Sequence, residues 1–256
     1  MRVKLLYLSI TLFFLSCAAI FGETPPHTEK SFKVIKGSKI KMRKEIIRRV
    51  ALAKGHHEGI LLERDTMLIN NGEGENTWVL DLHSGHIIKK IKPVGTFSEG
   101  ITSVSNGKYW HADWDTKKAY LIRIEDDKMI PELEISFEPS HPAGCAWVKG
   151  RLYVITWTRG LGTQYHLVKM DTSGNVLDKI IIKGINEPSQ IAWDGKFFWI
   201  SSWFERRVYR VTPDTYEIKG YFTSPVKKAT GIAWDGECFW LTGTNVDLYK
   251  IKIAAD

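Results

Sequence analysis

The chain has 256 residues, 43% apolar and 25% charged, with a formal net charge of +7. That balance excludes a fibrous or wholly disordered polypeptide and leaves room for one large domain or two small ones. Much of the positive charge lies in Lys33–Arg49, KVIKGSKIKMRKEIIRR, which reads as a solvated linker, and no nucleic-acid partner is expected.

In chain order, Met1–Ser16 opens with Arg2 and Lys4 and continues as an apolar run from Leu5 to Leu15. A charged stretch followed by an apolar run too short to span a bilayer reads as an export signal. It sends the mature chain to a bacterial cell envelope, periplasm or medium. Phe14-Leu15-Ser16-Cys17 resembles the box at which bacterial lipoproteins are cut and lipidated, which would make Cys17 a membrane anchor. A cut after Ala19 is the competing reading. Residues 17–44, with Pro25-Pro26, then form a basic and polar tether, and residues 45–256 the folded domain.

Within that domain one phrase recurs. Aligning QIAWDGKFFWISSW with GIAWDGECFWLTGT sets Ile191 against Ile232, and the same position returns at Ile60, Ile101 and Cys145. Each copy reads as four short strands. The first is EGIL, EGIT, AGCAW, SQIAW or TGIAW. Turns at Asn106-Gly107, Lys149-Gly150, Asp194-Gly195 and Asp235-Gly236 lead into an aromatic, β-branched second strand. Alternating third strands (TWVLDL, AYLIRI, YHLVKM) and fourth strands (HIIKKI, VLDKIII, EIKGYF) follow. Four strands at a period just over forty residues predict an all-β fold, a five-bladed β-propeller of four-stranded blades. The fifth copy stops after its third strand near Ile253, so Glu45–Leu52 is expected to supply its outer strand and close the ring.

A propeller gathers the start of each first strand and the end of each second strand at one mouth of its channel. Those positions hold Glu58, Glu99, Ala143, Ser189 and Thr230, and Gly72, Trp114, Trp157, Trp203 and Thr244, with Phe97 just before Glu99. Six further Trp residues of the repeat, Trp110, Trp147, Trp193, Trp199, Trp234 and Trp240, fall mid-strand and are expected to pack between blades. His56, His57, His111 and His141 read as loop or capping residues, and Cys145 and Cys238 as small buried apolar groups. There is no CxxC pair, HExxH, P-loop or dinucleotide fingerprint, so neither metal nor cofactor is expected.

These residues carry a resemblance. His56-His57-Glu58-Gly59 is similar to the FTQG or FTEG motif of the plant-type glutaminyl-peptide cyclotransferases. Phe97-Ser98-Glu99-Gly100-Ile101-Thr102 through Trp114 resembles their FGEGLT…LTW. Ser189–Trp193 through Trp203 resembles NELEW…NVW, and Leu241–Ile251 resembles VTGKxWPxLFEV. The family's site Lys falls on Thr244, its site Asn on Ser189, and its third-blade Trp on Ala143. The resemblance implies a five-bladed propeller that cyclises the N-terminal Gln of peptides, with Glu99 as the proton shuttle. It implies substrate contacts at Phe97, Trp114, Trp203, Glu58, Trp157, Ser189 and Thr244, and peptide or protein N-termini as partners. Two other readings stay open. One is a non-catalytic envelope propeller that binds a peptide or protein. The other is a lactonase-like propeller with a metal on Glu58 and Glu99, helped by Ser189, Gln190 or Thr230.

Overall fold

The computed structural model describes residues 33–254, apart from 38–39, 74–75 and 106. The export segment, Cys17 and Asn106 lie outside the described residues. Strands β1 (Val34–Ile35) and β2 (Lys44–Val50) precede the repeat. The first blade is β3 (His57–Glu63), β4 (Thr66–Asn71), β5 (Thr77–Asp81) and β6 (Ile87–Ile91). The second is β7 (Ser98–Ser105), β8 (Lys108–Asp113), β9 (Lys118–Glu125) and β10 (Lys128–Ser136). The third is β11 (His141–Val148), β12 (Arg151–Thr158), β13 (Gln164–Met170) and β14 (Val176–Ile182). The fourth is β15 (Pro188–Trp193), β16 (Phe198–Ser202), β17 (Arg207–Val211) and β18 (Ile218–Thr223). The fifth contains β19 (Gly231–Trp234), β20 (Phe239–Thr242) and β21 (Leu248–Ile253), in the order β19-β20-β21-β2. The first strands of the blades neighbour one another in turn, and β19 packs on β3, so the five sheets form a ring.

The expected strand at 45–52 runs from Lys44 to Val50, antiparallel to β21 with Lys44 opposite Ile253 and Val50 opposite Leu248. The segment before it, expected as tether, lies along the rim from Lys33 onward. β1 adds a parallel strand to the third blade, and Lys36 and Lys41 bridge to Glu217 and Tyr221 of the fourth. Burial explains this course, since Ile35 and Met42 are buried against the blades while Lys33, Lys36 and Lys41 are exposed.

Aromatic side chains fill the gaps between blades. Tyr153 meets Phe198 at 4.7 Å between the third and fourth blades, and Trp199 meets Phe239 at 4.7 Å between the fourth and fifth. The Trp-Asp-Gly turns do a second job. Asp194 accepts the indole N–H of Trp199 at 2.6 Å and Asp235 that of Trp240 at 2.9 Å, so each turn satisfies its blade's buried indole. Trp110, Trp199 and Trp240 are buried as expected. Trp147, Trp193 and Trp234 are half-buried; they pack against the blades and also line a cavity of about 170 Å³ among the inner strands, which shares no lining residue with the candidate site. Cys145 and Cys238 are both buried free thiols.

Candidate active site

Four of the inner strands break register at one place. The pairing skips between His57 and Ile60, Ser98 and Ile101, Pro142 and Cys145, and Pro188 and Ile191. The skipped residues are Glu58-Gly59, Glu99-Gly100, Ala143-Gly144 and Ser189-Gln190. A bulge of this kind re-aims a side chain, and here it turns the first residue of each pair toward the channel mouth, a glycine following in three of the four. The glycine follows from crowding. A Cβ at Gly100 would lie 2.6 Å from the Cys145 backbone nitrogen, and one at Gly144 would lie 2.5 Å from the Gln190 Cα.

The mouth opens as a cavity of about 530 Å³ that takes in Glu58, Glu99, Phe97, Trp114, Trp157, Trp203, Ser189, Ala143 and Thr230. Glu58 and Glu99 are almost fully buried and their side chains are hydrogen-bonded to each other. Two carboxyl groups can make that bond only by sharing a proton. Burial pushes both groups well above the usual carboxylate range. The charge of Glu58 pushes Glu99 further, and their hydrogen bond raises Glu99 while lowering Glu58, so Glu99 keeps the proton.

Glu99 is held through its backbone. The Asn70 amide donates to the Glu99 carbonyl at 2.9 Å, and Asn70 in turn accepts from Thr77 at 2.8 Å. His111 donates from Nε2 to the Val94 carbonyl at 3.1 Å, leaving Nδ1 to face the Asn70 amide at 3.3 Å. Burial lowers the His111 pKa to about 4, so the ring is a neutral structural link, and it lies within β8, not in the loop or cap expected of it.

The aromatic walls are fixed by polar groups the sequence reading passed over. Asp113 accepts from the backbone N–H of Thr96 (2.8 Å) and Phe97 (2.7 Å) with one oxygen, and from Thr116 with the other. Trp114 N–H donates to the Phe97 carbonyl at 2.9 Å, so one buried carboxylate sets both rings. His141 stacks on Trp114 with centroids 4.6 Å apart and donates to its carbonyl, again a capping role. Trp157 donates its indole N–H to the Pro188 carbonyl at 2.7 Å and meets Trp114 edge-on. Lys228 lies over Trp203, its Nζ 3.8 Å from the ring centroid.

Of the expected contacts, Thr244 falls outside the cavity and Ser189 within it. Thr244 does not line the cavity: the turn at Gly243–Val246 carries it aside, with Asn245 N–H bonded to the Gly55 carbonyl. Ser189 does line it, but its hydroxyl is committed to the Ala229 carbonyl (2.6 Å) and the Ser201 hydroxyl (2.9 Å). Thr230 is likewise tied to the His57 carbonyl. Conversely, His56, Asp115, Arg159 and Glu187 line the cavity, and His56 is no mere loop residue. The guanidinium of Arg159 sits 5.1 Å from the Trp114 centroid. Because all four precede or follow strands, the strand period could not register them. Among the described residues no group of three or more His, Cys, Asp or Glu side chains is arranged to hold a metal ion.

No protein-family model and no curated protein matches the chain. Among solved structures, a glutaminyl cyclase of Myxococcus xanthus superposes with a TM-score of 0.69 at 14% identity, covering 85% of this chain and all of that one. The β-propeller domain of Cps50 (Swd1) from Myceliophthora thermophila superposes at 0.50 with 10% identity, covering 83% of this chain and all of that domain. At such identities the likeness shows a shared fold, the β-propeller, and the chemistry of the mouth has to be read from its own side chains.

Proposed function

We propose that the chain cyclises the N-terminal glutamine of peptides to pyroglutamate with release of ammonia. The observation that carries this reading is the buried, proton-sharing Glu58–Glu99 pair facing an aromatic-walled cavity. Its fold likeness to a glutaminyl cyclase adds support. The lining also holds Asp115 and Glu187 against the single guanidinium of Arg159, an acidic excess suited to an α-ammonium group.

The reaction joins two groups of one residue, so the site has to hold a folded-back conformer and move protons. The Glu58 carboxylate takes the proton that turns the bound ammonium into an amine. The amine nitrogen attacks the side-chain amide carbon and a C–N bond forms. As the bond to the amide nitrogen breaks, Glu99 gives its proton to that nitrogen and receives one from the new ring nitrogen. Ammonia then departs with the proton held by Glu58, and the pair returns to its starting state. Positioned proton transfer of this kind contributes roughly 10²–10⁴-fold. Arg159 is a cavity-lining cation that can face the developing oxyanion, and Phe97, Trp114 and Trp203 exclude water.

Ammonia release from Gln-initiated peptides by the purified chain tests the reading, with N-acetylated peptides as the blank. No release sinks it. The second reading is an envelope propeller that binds peptide N-termini without turnover; the absence of Thr244 from the cavity and the committed Ser189 hydroxyl favour it. In either case we read Cys17 as a lipid anchor holding the exported chain at a membrane.

A further inference from the structure

Each ring nitrogen of His56 meets a carboxylate. Nε2 lies 3.0 Å from Glu58 Oε1, and Nδ1 lies 3.0 Å from Glu73 Oε1. A carboxylate oxygen beside each ring nitrogen favours the doubly protonated, positively charged imidazole. The two carboxylates differ in setting, with the Glu58 side chain 4% exposed and that of Glu73 71% exposed. His56 therefore bridges the buried pair and solvent. The other groups around it are the edge of Phe97 (centroids 5.4 Å apart), the carboxyl of Glu99 within electrostatic reach, and the neighbouring ring of His57.

We infer that protonated His56 supplies a resident positive charge which an arriving peptide's N-terminal ammonium replaces, so that binding is coupled to release of one proton to water beside Glu73. The inference rests on the reading that a peptide N-terminus enters this cavity, though not on its cyclisation. Two positive charges facing Glu58 and Glu99 in one small cavity repel each other. Of the two, the imidazole can shed its charge at once, because its Nδ1 proton already lies against an exposed carboxylate. The ammonium keeps its three protons on entry, the imidazolium gives one to water, and Nε2–H stays on Glu58.

The test is isothermal titration calorimetry of the full chain in buffers of different ionisation enthalpy. The probe is a peptide that opens with Met, which has the length of Gln and no amide to cyclise. The expected result is net proton release, up to one per peptide bound, and none with the N-acetylated peptide. His56→Phe should bind with no release. Glu73→Gln, an exposed change that leaves the fold alone, should reduce the release at each pH. Binding without release, or equal release in His56→Phe or Glu73→Gln, overturns the inference. Proton release on Met-peptide binding without ammonia from Gln peptides keeps it and removes the proposed reaction. Ammonia without proton release does the reverse, and a chain that binds neither peptide removes both.

Discussion

Gly59 and the carbonyl of Glu99 are so close that a Cβ on Gly59 would overlap that oxygen. The first two inner strands meet at this point, and the contact brings Glu58 and Glu99 into one hydrogen bond. Gly59→Ala should therefore cost about 1–3 kcal/mol through forced backbone movement. It should also part the two carboxyl groups. Thermal melting measures the first effect, and carboxyl titration by NMR should show Glu99 moving back toward the ordinary range as it loses the Glu58 charge and hydrogen bond, while Glu58, losing the bond that lowers it, does not.

Removing the proton while keeping the shape isolates the chemistry. Glu99→Gln should lower turnover of Gln peptides by roughly 10²–10⁴-fold, about 3–5 kcal/mol in barrier, with folding intact. Trp203→Ala should chiefly raise KM, since its role is a wall. If Glu99→Gln turns over at the wild-type rate, the proton shuttle lies elsewhere.

Stability should respond to pH from both sides. His111 titrates near 4 when folded and near 6.5 when unfolded. Between those values the unfolded chain binds the extra proton, so stability falls as pH drops through the window, by up to about 3 kcal/mol. Glu58 and Glu99 act in the opposite sense. Their folded pKa values are raised, so the folded chain holds protons that the unfolded one has lost, and stability declines as pH rises above the ordinary carboxylate range. Urea denaturation across pH should show a flattened acid limb in His111→Gln. The same series should show Glu99→Gln gaining stability relative to wild type on the alkaline side.

A chain beginning at Ala53 lacks the strand that covers β21. It should lose cooperative unfolding, because Leu248 and Ile251 would sit on an open edge. A melt identical to that of the longer chain would contradict this.

Cys17→Ala should move the protein from the membrane fraction to the soluble fraction if the thiol is lipidated. A mature N-terminus beyond residue 17, or unchanged fractionation, would remove the anchor.

Periodicity made the blades legible, because Ile60, Ile101, Cys145, Ile191 and Ile232 serve the same packing position five times. It also located the mouth, since the first residue of each of the four inner-strand bulges is fixed by the strand itself. His56, Asp115, Arg159 and Glu187 were not legible in the same way. They sit beyond strand ends, where each blade's loop takes its own path and spacing carries no geometry. Thr244 failed for that reason too, having been placed by alignment on a turn that bends away. Asp113 was hidden differently: its role lies in backbone N–H groups sixteen and seventeen residues earlier, which no side-chain pattern reports.

The rim segment has a mechanical consequence. From Lys33 to Met42 the chain is fastened to the outer edges of two successive blades. Ile181 N–H bonds to the Lys33 carbonyl, Gly184 to Ile35, Ile218 to Lys36 and Tyr221 to Ile40, and Met42 bonds back to Tyr221. A pull on the chain from its N-terminal side would load these outer rungs first. Tension reaching the protein from an upstream attachment would be spent on the periphery, while the inner strands that hold Glu58 against Glu99 stay unstressed.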